Sequence, residues 1–151
     1  MVVFSPSSDF WIIVASRDHV RQGVDGGFCQ ANHGKRAPLR KMKKGDWVVF
    51  YSPKERYREE EKCRRFTAIG TISDDLIYQV KMTDDFKPFR RKVDFVPCVE
   101  APVEPLIPIL SFISKKKSWG YVFRLGFLQV PRDDFEEIAA SMISTARRKV
   151  G

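Results

Sequence analysis

Cysteine and histidine are scarce in this chain, which has three cysteines and two histidines in 151 residues. Cys29, Cys63 and Cys98 are odd in number and lie far apart, a pattern that argues against a disulfide framework and a zinc ribbon. Cys29 and His33 have a Cys-x3-His spacing, but no second pair completes a four-ligand zinc site. We therefore expect no metal and no cofactor.

Long hydrophobic runs are missing as well. No apolar run approaches the roughly 20 residues of a membrane-spanning helix. The segment Met1–Pro6 has neither the basic nor the apolar region of a signal peptide. The longest apolar strings, such as Phe10–Ala15, have the length of a strand. We expect a cytoplasmic protein without membrane contacts.

Motifs of familiar catalytic sites are also absent. The glycines of Gly23–Gly27 match neither a P-loop nor a dinucleotide-binding fingerprint. Residues 54–65 are almost wholly charged, which predicts a solvated loop or hairpin tip and neither an acid–base site nor a binding arm. One enzymatic alternative stays open, in which Cys29 is a nucleophile and His19 or His33 is its base.

Positive charge is in excess, with 27 Lys and Arg against 19 Asp and Glu and a formal net charge of +8. This excess concerns partners rather than fold, and it favours RNA or DNA, with an acidic protein or anionic lipid as the alternatives. The hydrophobic fraction of 43% is ample for one packed core. We expect a single domain over residues 1–151, with a monomer favoured.

Hydrophobic patterning predicts about six strands. They are expected at Phe10–Ala15, Trp47–Tyr51, Phe66–Ile72, Ile77–Met82, Val93–Val99 and Gly120–Leu125. Ser52 and Pro53 are expected to end the second strand, and Asp74 and Asp75 to form the turn between the third and the fourth. Pro97 places the fifth strand at an edge or a bulge, because proline cannot donate to a ladder.

One long helix is predicted near the end of the sequence. Its apolar face consists of Phe135, Ile138, Ala139, Met142 and Ile143. Asp133 and Glu136 have the spacing of a capping box at its start, and Arg147–Lys149 suit its negative C-terminal end. A shorter helix follows the first strand, where Ser16 or Asp18 can cap it. Without βαβ alternation, these elements predict an α+β domain built on a small antiparallel or mixed barrel.

Short basic clusters lie next to aromatic residues at several points. Phe86 and Phe89 precede one cluster, and Trp119 follows another. Aromatic faces stack on bases while cations neutralise phosphates, so this arrangement favours single-stranded or flipped-out nucleic acid. The candidate phosphate-binding residues are Lys35, Arg36, Arg90, Arg91, Lys115, Lys116 and Lys117.

Two segments resemble the bacterial EVE-domain proteins. They are GGFCQANHGKRAPLRKMKKGDWVVFYSP (residues 26–53) and LSFISKKKSWGYVFRLGFLQVPRDDFEEI (residues 110–138), and the similarity extends from about Phe10 to Ile143. The resemblance implies a PUA-like barrel, related to the PUA, ASCH and YTH domains that bind RNA or modified nucleobases. It thus implies a module that recognises a modified base of RNA or DNA and catalyses no reaction. An enzyme that uses Cys29 and a protein-interaction domain remain the alternatives.

For the ligand site, the resemblance implies a pocket beside the barrel. Its eight residues are Ser16, Phe28, Gln30, Asn32, Tyr51, Ser52, Trp119 and Arg124. Phe28 and Trp119 are expected as the two walls that hold the base, with Gln30 and Asn32 reading its edge. Arg124 is expected to meet a phosphate or a base edge, and the other three to line the pocket. Many relatives have tryptophan near the position of Phe28, and the smaller ring changes which base fits.

Overall fold

The computed structural model describes residues 4–144, with side chains as far as Ile143. Its strands are β1 (Phe10–Val14), β2 (Phe28–Cys29), β3 (Trp47–Lys54), β4 (Lys62–Ile72), β5 (Tyr78–Gln79), β6 (Phe89–Phe95), β7 (Ala101–Pro102) and β8 (Phe127–Gln129). Its helices are α1 (Arg17–Gly26), α2 (Arg36–Leu39), α3 (Arg132–Ala139), two 3-10 helices (Glu104–Leu106 and Lys116–Leu125) and a π-helical turn (Ala140–Ser144). The predicted basic helix end, Arg147–Lys149, lies outside the described residues.

The strands form one curled mixed sheet, a half-barrel with the order β2-β6-β4-β3-β1-β8. Strands β5 and β7 extend it by pairing with β6 and β4. Strand β1 runs parallel to β3, from Phe10 opposite Trp47 to Val14 opposite Tyr51, and its other neighbour β8 is antiparallel. The predicted α+β architecture with a mixed sheet is confirmed. None of the helices in the described region is long and apolar enough to cross a membrane.

The sheet separates two clusters of buried side chains. Alternate residues of β1 and β3 enter opposite clusters, so that Ile12 and Val49 lie in one while Ile13 and Val48 lie in the other. The apolar face of α3 packs into the first cluster, as its periodicity predicted. Helix α1 contributes Val20 to the second cluster. Both central strands are therefore buried on both faces, which their continuous apolar sequences require.

Asp46 ties the start of β1 to the start of β3. Its buried carboxylate accepts hydrogen bonds from the Asp9 N–H (3.0 Å), the Trp11 indole N–H (3.0 Å), the Lys43 N–H (2.9 Å) and the Lys43 ammonium (2.7 Å). Burial acts to raise the pKa of Asp46, but these bonds outweigh it and hold that pKa below its ordinary value. The carboxylate thus stays charged inside the fold and fixes the parallel register.

Arg91, predicted to bind phosphate, lies in the interior instead. Its guanidinium donates to the carbonyl oxygens of Leu39 and Met42 at 2.8 Å each and to that of Asp74. These bonds join β6 to the end of α2 and to the turn after β4. The prediction failed because a basic cluster in a strand sends alternate side chains to opposite faces.

Two predicted strands are wrong in extent or kind. Residues 120–125 belong to a 3-10 helix, in which Phe123 is buried while Tyr121 and Leu125 are exposed, so burial does not alternate. The final strand follows at Phe127–Gln129. Of Ile77–Met82, residues 78 and 79 alone form a strand, and it pairs with β6 rather than β4, because β4 already pairs with β3, β6 and β7.

Three boundaries differ from prediction for local reasons. Strand β3 continues through Ser52 and Pro53 to Lys54, because the ladder shifts register around the proline that cannot donate. Strand β6 begins at Phe89 and ends before Pro97. Helix α3 begins at Arg132 after Pro131, with no side-chain cap from Asp133.

Replacement of Asp46 by Asn removes the charge that its four donors surround, so we expect Asp46→Asn to lower the free energy of unfolding at pH 7 by about 1–3 kcal/mol. Because the folded pKa of Asp46 is depressed, its stabilisation is present above the unfolded pKa near 3.8 and is lost as pH falls through the folded pKa. The difference between wild type and variant should therefore shrink below about pH 4 in urea titrations.

Asp9→Asn is the matched control, because Asp9 is half exposed and its side chain contacts Lys43 at the surface. We expect it to cost less than about 1 kcal/mol. Equal destabilisation by the two substitutions at pH 7 would contradict the role given to Asp46.

Candidate nucleic-acid interface

A cleft of about 690 Å3 opens where β1 and β3 end, and we call it the first cleft. Parallel strands end at the same edge of a sheet, so the segments that follow β1 and β3 meet there. The Asp18 N–H donates to the Glu55 carbonyl at 3.0 Å, which holds the two segments together. The residues of the first cleft that bear on function are Ser16, His19, Phe28, Gln30, Asn32, His33, Lys54, Arg56, Tyr57, Arg58, Met82, Phe86 and Arg124.

The loop after β2 reaches the first cleft through left-handed backbone. Asn32, His33 and Gly34 have φ values of 46°, 63° and 80°, a tight turn that non-glycine residues seldom form. Gly126 lies against the Asn32 side chain, where a Cβ atom would overlap its amide oxygen. The turn therefore presents Asn32 and His33 to the cleft.

Tyr57 forms an aromatic wall of the first cleft together with both histidines. Its ring centroid lies 6.2 Å from that of His19, with planes 30° apart, and 5.7 Å from that of His33, with planes 63° apart. The Arg58 guanidinium lies 5.2 Å from the Tyr57 centroid, and Tyr57 is half exposed. These residues meet although the sequence separates them widely.

The sequence interpretation missed this wall. Residues 54–65 were expected as a solvated loop without a binding role, yet residues 54 and 56–58 line the first cleft. A signal was present, since Tyr57 is an aromatic residue between two arginines in an otherwise charged segment. Part of the segment is also strand, because β3 extends to Lys54 and β4 begins at Lys62.

Phe28 lines the first cleft, as expected, but one face of its ring is covered. The Arg90 guanidinium carbon lies 3.7 Å from the Phe28 centroid. Gln30 holds it there, because its amide oxygen accepts from Arg90 Nε at 2.7 Å. Arg90 also approaches the Met82 sulfur at 3.5 Å. A planar ligand on this face would stack on the guanidinium rather than directly on Phe28.

Ser16 lines the first cleft and precedes α1, where its hydroxyl donates to the Asp18 carboxylate at 2.6 Å. It makes no side-chain bond to the helix backbone, so the predicted cap is not formed. Burial acts to raise the pKa of Asp18, but the bond from Ser16 and the nearby His19 outweigh it and the pKa is lowered. Asp18 stays ionised beside the cleft.

Tyr51 and Ser52 do not face the first cleft. Tyr51 packs in the core with its ring centroid 4.1 Å from that of Phe123, and burial raises the pKa of its phenol. Ser52 is fully buried and shares a 2.8 Å hydrogen bond with the Thr67 hydroxyl. Ser52 lies inside the strand because β3 continues to Lys54. Tyr51 lines a separate cleft, the one that contains Trp119.

Trp119 lies in a separate cleft of about 870 Å3, the second cleft. Phe28 and Trp119 therefore do not form two walls of one pocket. Trp119 packs edge-on against Phe123 at 6.4 Å, and Arg64 lies 5.6 Å from its centroid. Arg124 lines both clefts and lies 5.4 Å from the Tyr121 ring.

The other candidate phosphate-binding residues lie at the surface, and they differ in whether their charged groups already have partners. Lys35 and Arg36 are exposed at the start of α2. Lys115, Lys116 and Lys117 are exposed, but the Lys116 ammonium is bound to the carbonyl oxygens of Ile107 and Leu110. Of the three, Lys117 lines the second cleft.

Cys29 is buried in β2, and burial raises the pKa of its thiol to about 12. A nucleophilic cysteine needs the opposite shift, because the thiolate is the reactive form. Among residues 4–144, no three His, Cys, Asp or Glu side chains are grouped so that they could hold a metal ion.

Comparison with known structures identifies the architecture. The YTH domain of the MRB1 protein from Zygosaccharomyces rouxii, solved in complex with N6-methyladenosine RNA, superposes with a TM-score of 0.64. The alignment covers 91% of this chain and 88% of that domain, at 14% identity, so the likeness concerns the fold alone. It confirms the PUA-like fold that the sequence resemblance implied.

Comparison with known sequences identifies the family. A UPF0310 protein of Mycolicibacterium vanbaalenii is 50% identical over 141 residues, which are 93% of this chain and 97% of that protein. A UPF0310 protein of Mycobacterium avium is 53% identical over 132 residues, 87% and 96% of the two chains. The family profile described as the EVE domain matches residues 9–141. The chain therefore belongs to the EVE-domain family.

Proposed function

We propose that the first cleft binds one base of RNA or DNA, taken out of the stack and carrying a small modification, and that the protein catalyses no reaction on it. The observation that carries this proposal is the wall of Tyr57, His19 and His33 in a cleft of about 690 Å3. Tyr57 is half exposed, so its ring is available for a planar heterocycle to stack on. The cleft volume lies within the range of about 300–1,000 Å3 for small-molecule sites.

The charges around the first cleft support a phosphate-linked ligand. Lys54, Arg56, Arg58 and Arg124 line it, and no aspartate or glutamate is among the described lining residues. Cations at the rim of a base pocket meet the phosphates on either side of an extruded nucleotide. A free neutral nucleobase would leave them without a partner.

Two amides are placed to read the edge of a base. Asn32 reaches the cleft from the left-handed turn, and Gln30 lies beside the Arg90 stack. Since the Gln30 oxygen accepts from Arg90, its NH2 group is the part that can donate to the ligand. A similar fold in complex with N6-methyladenosine RNA supports the same class of ligand here.

Catalysis by Cys29 gains no support from these contacts. The raised pKa keeps the thiol protonated at neutral pH, and its burial in β2 limits access to it. Stacking and hydrogen bonding alone explain why aromatic rings, amides and cations converge on one cleft.

Replacement of Tyr57 by Ala removes the ring between the two histidines. Because base–aromatic stacking contributes about 1–3 kcal/mol, we expect Tyr57→Ala to weaken binding of single-stranded hexanucleotides that contain one N6-methyladenosine by about 5-fold to 150-fold. Tyr57→Phe keeps the ring and should bind nearly as wild type. Fluorescence anisotropy of labelled oligonucleotides measures both affinities. An unchanged affinity in Tyr57→Ala would contradict stacking of the base on Tyr57.

The charge of the modified base should decide which bases bind. The aromatic faces of Phe28 and Tyr57 already hold the guanidinium groups of Arg90 and Arg58, so a cationic base would meet like charge. We expect hexanucleotides with neutral N6-methyladenosine to bind at least about tenfold more tightly than those with cationic N1-methyladenosine. The pair of 5-methylcytidine and cationic N3-methylcytidine should show the same order, and preference for the cationic member in both pairs would refute this account.

A further inference from the structure

The second cleft lies directly beside the first and has aromatic and basic residues of its own. The two share Val14, Pro53, Lys54, Phe123 and Arg124 among their lining residues, so they adjoin along one surface. Phe123 is buried between them and packs against both Tyr51 and Trp119. A ligand that leaves the first cleft along this side enters the second.

A β-bulge aims Arg64 into the second cleft. Ser52 pairs with Arg65 and Lys54 with Lys62, so Cys63 and Arg64 together stand opposite Pro53. Arg64 has a φ of 53°, a left-handed conformation that costs a non-glycine residue energy. The bulge lets its guanidinium lie 5.6 Å from the Trp119 centroid rather than continue along the strand face.

Two aromatic rings of the second cleft differ in exposure. Trp119 is half-buried, and Tyr121 has 71% of its surface exposed. Arg64 and Arg124 lie within 5.6 Å and 5.4 Å of the two ring centroids. Partly or fully exposed rings with adjacent guanidinium groups can form a platform on which unpaired bases of any sequence stack.

The charges of the second cleft are strongly unbalanced. Five cations line it, namely Lys54, Lys62, Arg64, Lys117 and Arg124, against the single carboxylate of Glu60 among the described lining residues. Cations alone would also suit an acidic peptide. The combination of cations with the rings of Trp119 and Tyr121 favours nucleotides, because they carry both a phosphate and a flat base.

We propose that the second cleft binds the nucleotides that neighbour the base in the first cleft, so that the ligand is a single strand rather than a free nucleoside or a duplex. Trp119 stacks on an unpaired neighbouring base, and Lys54, Lys117 and Arg124 contact the phosphates that run between the clefts. This inference rests on the proposed function, because the base in the first cleft sets the direction in which the strand runs along the surface. The stacking in the second cleft does not depend on which base the first cleft accepts.

Tryptophan fluorescence gives a direct test, because Trp11 and Trp47 are buried and Trp119 is the accessible third tryptophan. The probes are unmodified single-stranded hexamers of uridine and of thymidine. We expect them to quench the emission of wild-type protein and of Tyr57→Ala, and to leave that of Trp119→Phe unchanged. Absence of quenching in wild type overturns the proposal.

Affinities of labelled hexamers separate stacking from folding defects. We expect Trp119→Ala to bind about 5-fold to 150-fold more weakly, whereas Trp119→Phe retains most of the affinity. Lys117→Gln, a surface substitution, should lower the slope of log affinity against log salt by about one. Unchanged affinity in Trp119→Ala together with an unchanged slope in Lys117→Gln would overturn the proposal.

The outcomes also distinguish the two clefts and the two classes of partner. If Tyr57→Ala leaves binding of methylated hexamers unchanged while Trp119→Ala weakens it, the proposed function fails and the proposal for the second cleft is upheld. If methylated mononucleotides bind as tightly as hexamers, the second cleft fails and the first stands. Displacement of the labelled hexamer by hexaglutamate at equal concentration, with no effect of Trp119→Ala, would make this surface a peptide site and overturn the inference.

Discussion

The parallel pairing of β1 with β3 is the constraint on which the rest of the molecule depends. It brings the ends of both strands to one edge of the sheet, where α1 and the segment 55–61 leave it side by side. At the opposite end, the buried carboxylate of Asp46 binds both strand starts and fixes their register. A shift of one residue would turn every core side chain of β1 to the wrong face. The geometry of the first cleft thus follows from a register that is set about one strand length away.

Much of the fold could be predicted from local patterns. The buried strands β1 and β3 are continuous apolar runs, and α3 has an apolar face of helical period. The sequence therefore predicted all three elements at nearly correct positions. Segment 120–125 was misjudged because an apolar and aromatic hexapeptide suits a strand as well as a 3-10 helix. Tertiary pairing decided it, since Gly126 ends the helix with a φ of 76° and β8 takes the edge beside β1.

The site was harder to predict because it consists of side chains brought together by loops. The structure brings Phe28, Gln30 and Asn32, which the family resemblance implied as pocket residues, together at the first cleft. Tyr57 was missed because its segment is so charged. Arg91 was misassigned because sequence shows its charge but not that its guanidinium is bound to three backbone carbonyls. Position on a strand face, which sequence alone did not reveal, decided between a surface and an interior role.

An arginine guanidinium lies near an aromatic ring at four points in or beside the two clefts. These pairs are Arg90 with Phe28, Arg58 with Tyr57, Arg64 with Trp119 and Arg124 with Tyr121. Such a pair can stack on a base and attract its phosphate at the same time. This shared chemistry joins the two clefts in one account of single-strand binding.

The central claim is that a base enters the first cleft. Amide chemical shifts, followed by NMR while a single-stranded RNA with one N6-methyladenosine is added, test it most directly. The account predicts saturating shifts at Ser16, Asn32, His33 and Tyr57, with smaller shifts at Trp119 and Tyr121. Shifts confined to Lys35 and Arg36 or to α3, with the first cleft unaffected, would contradict it.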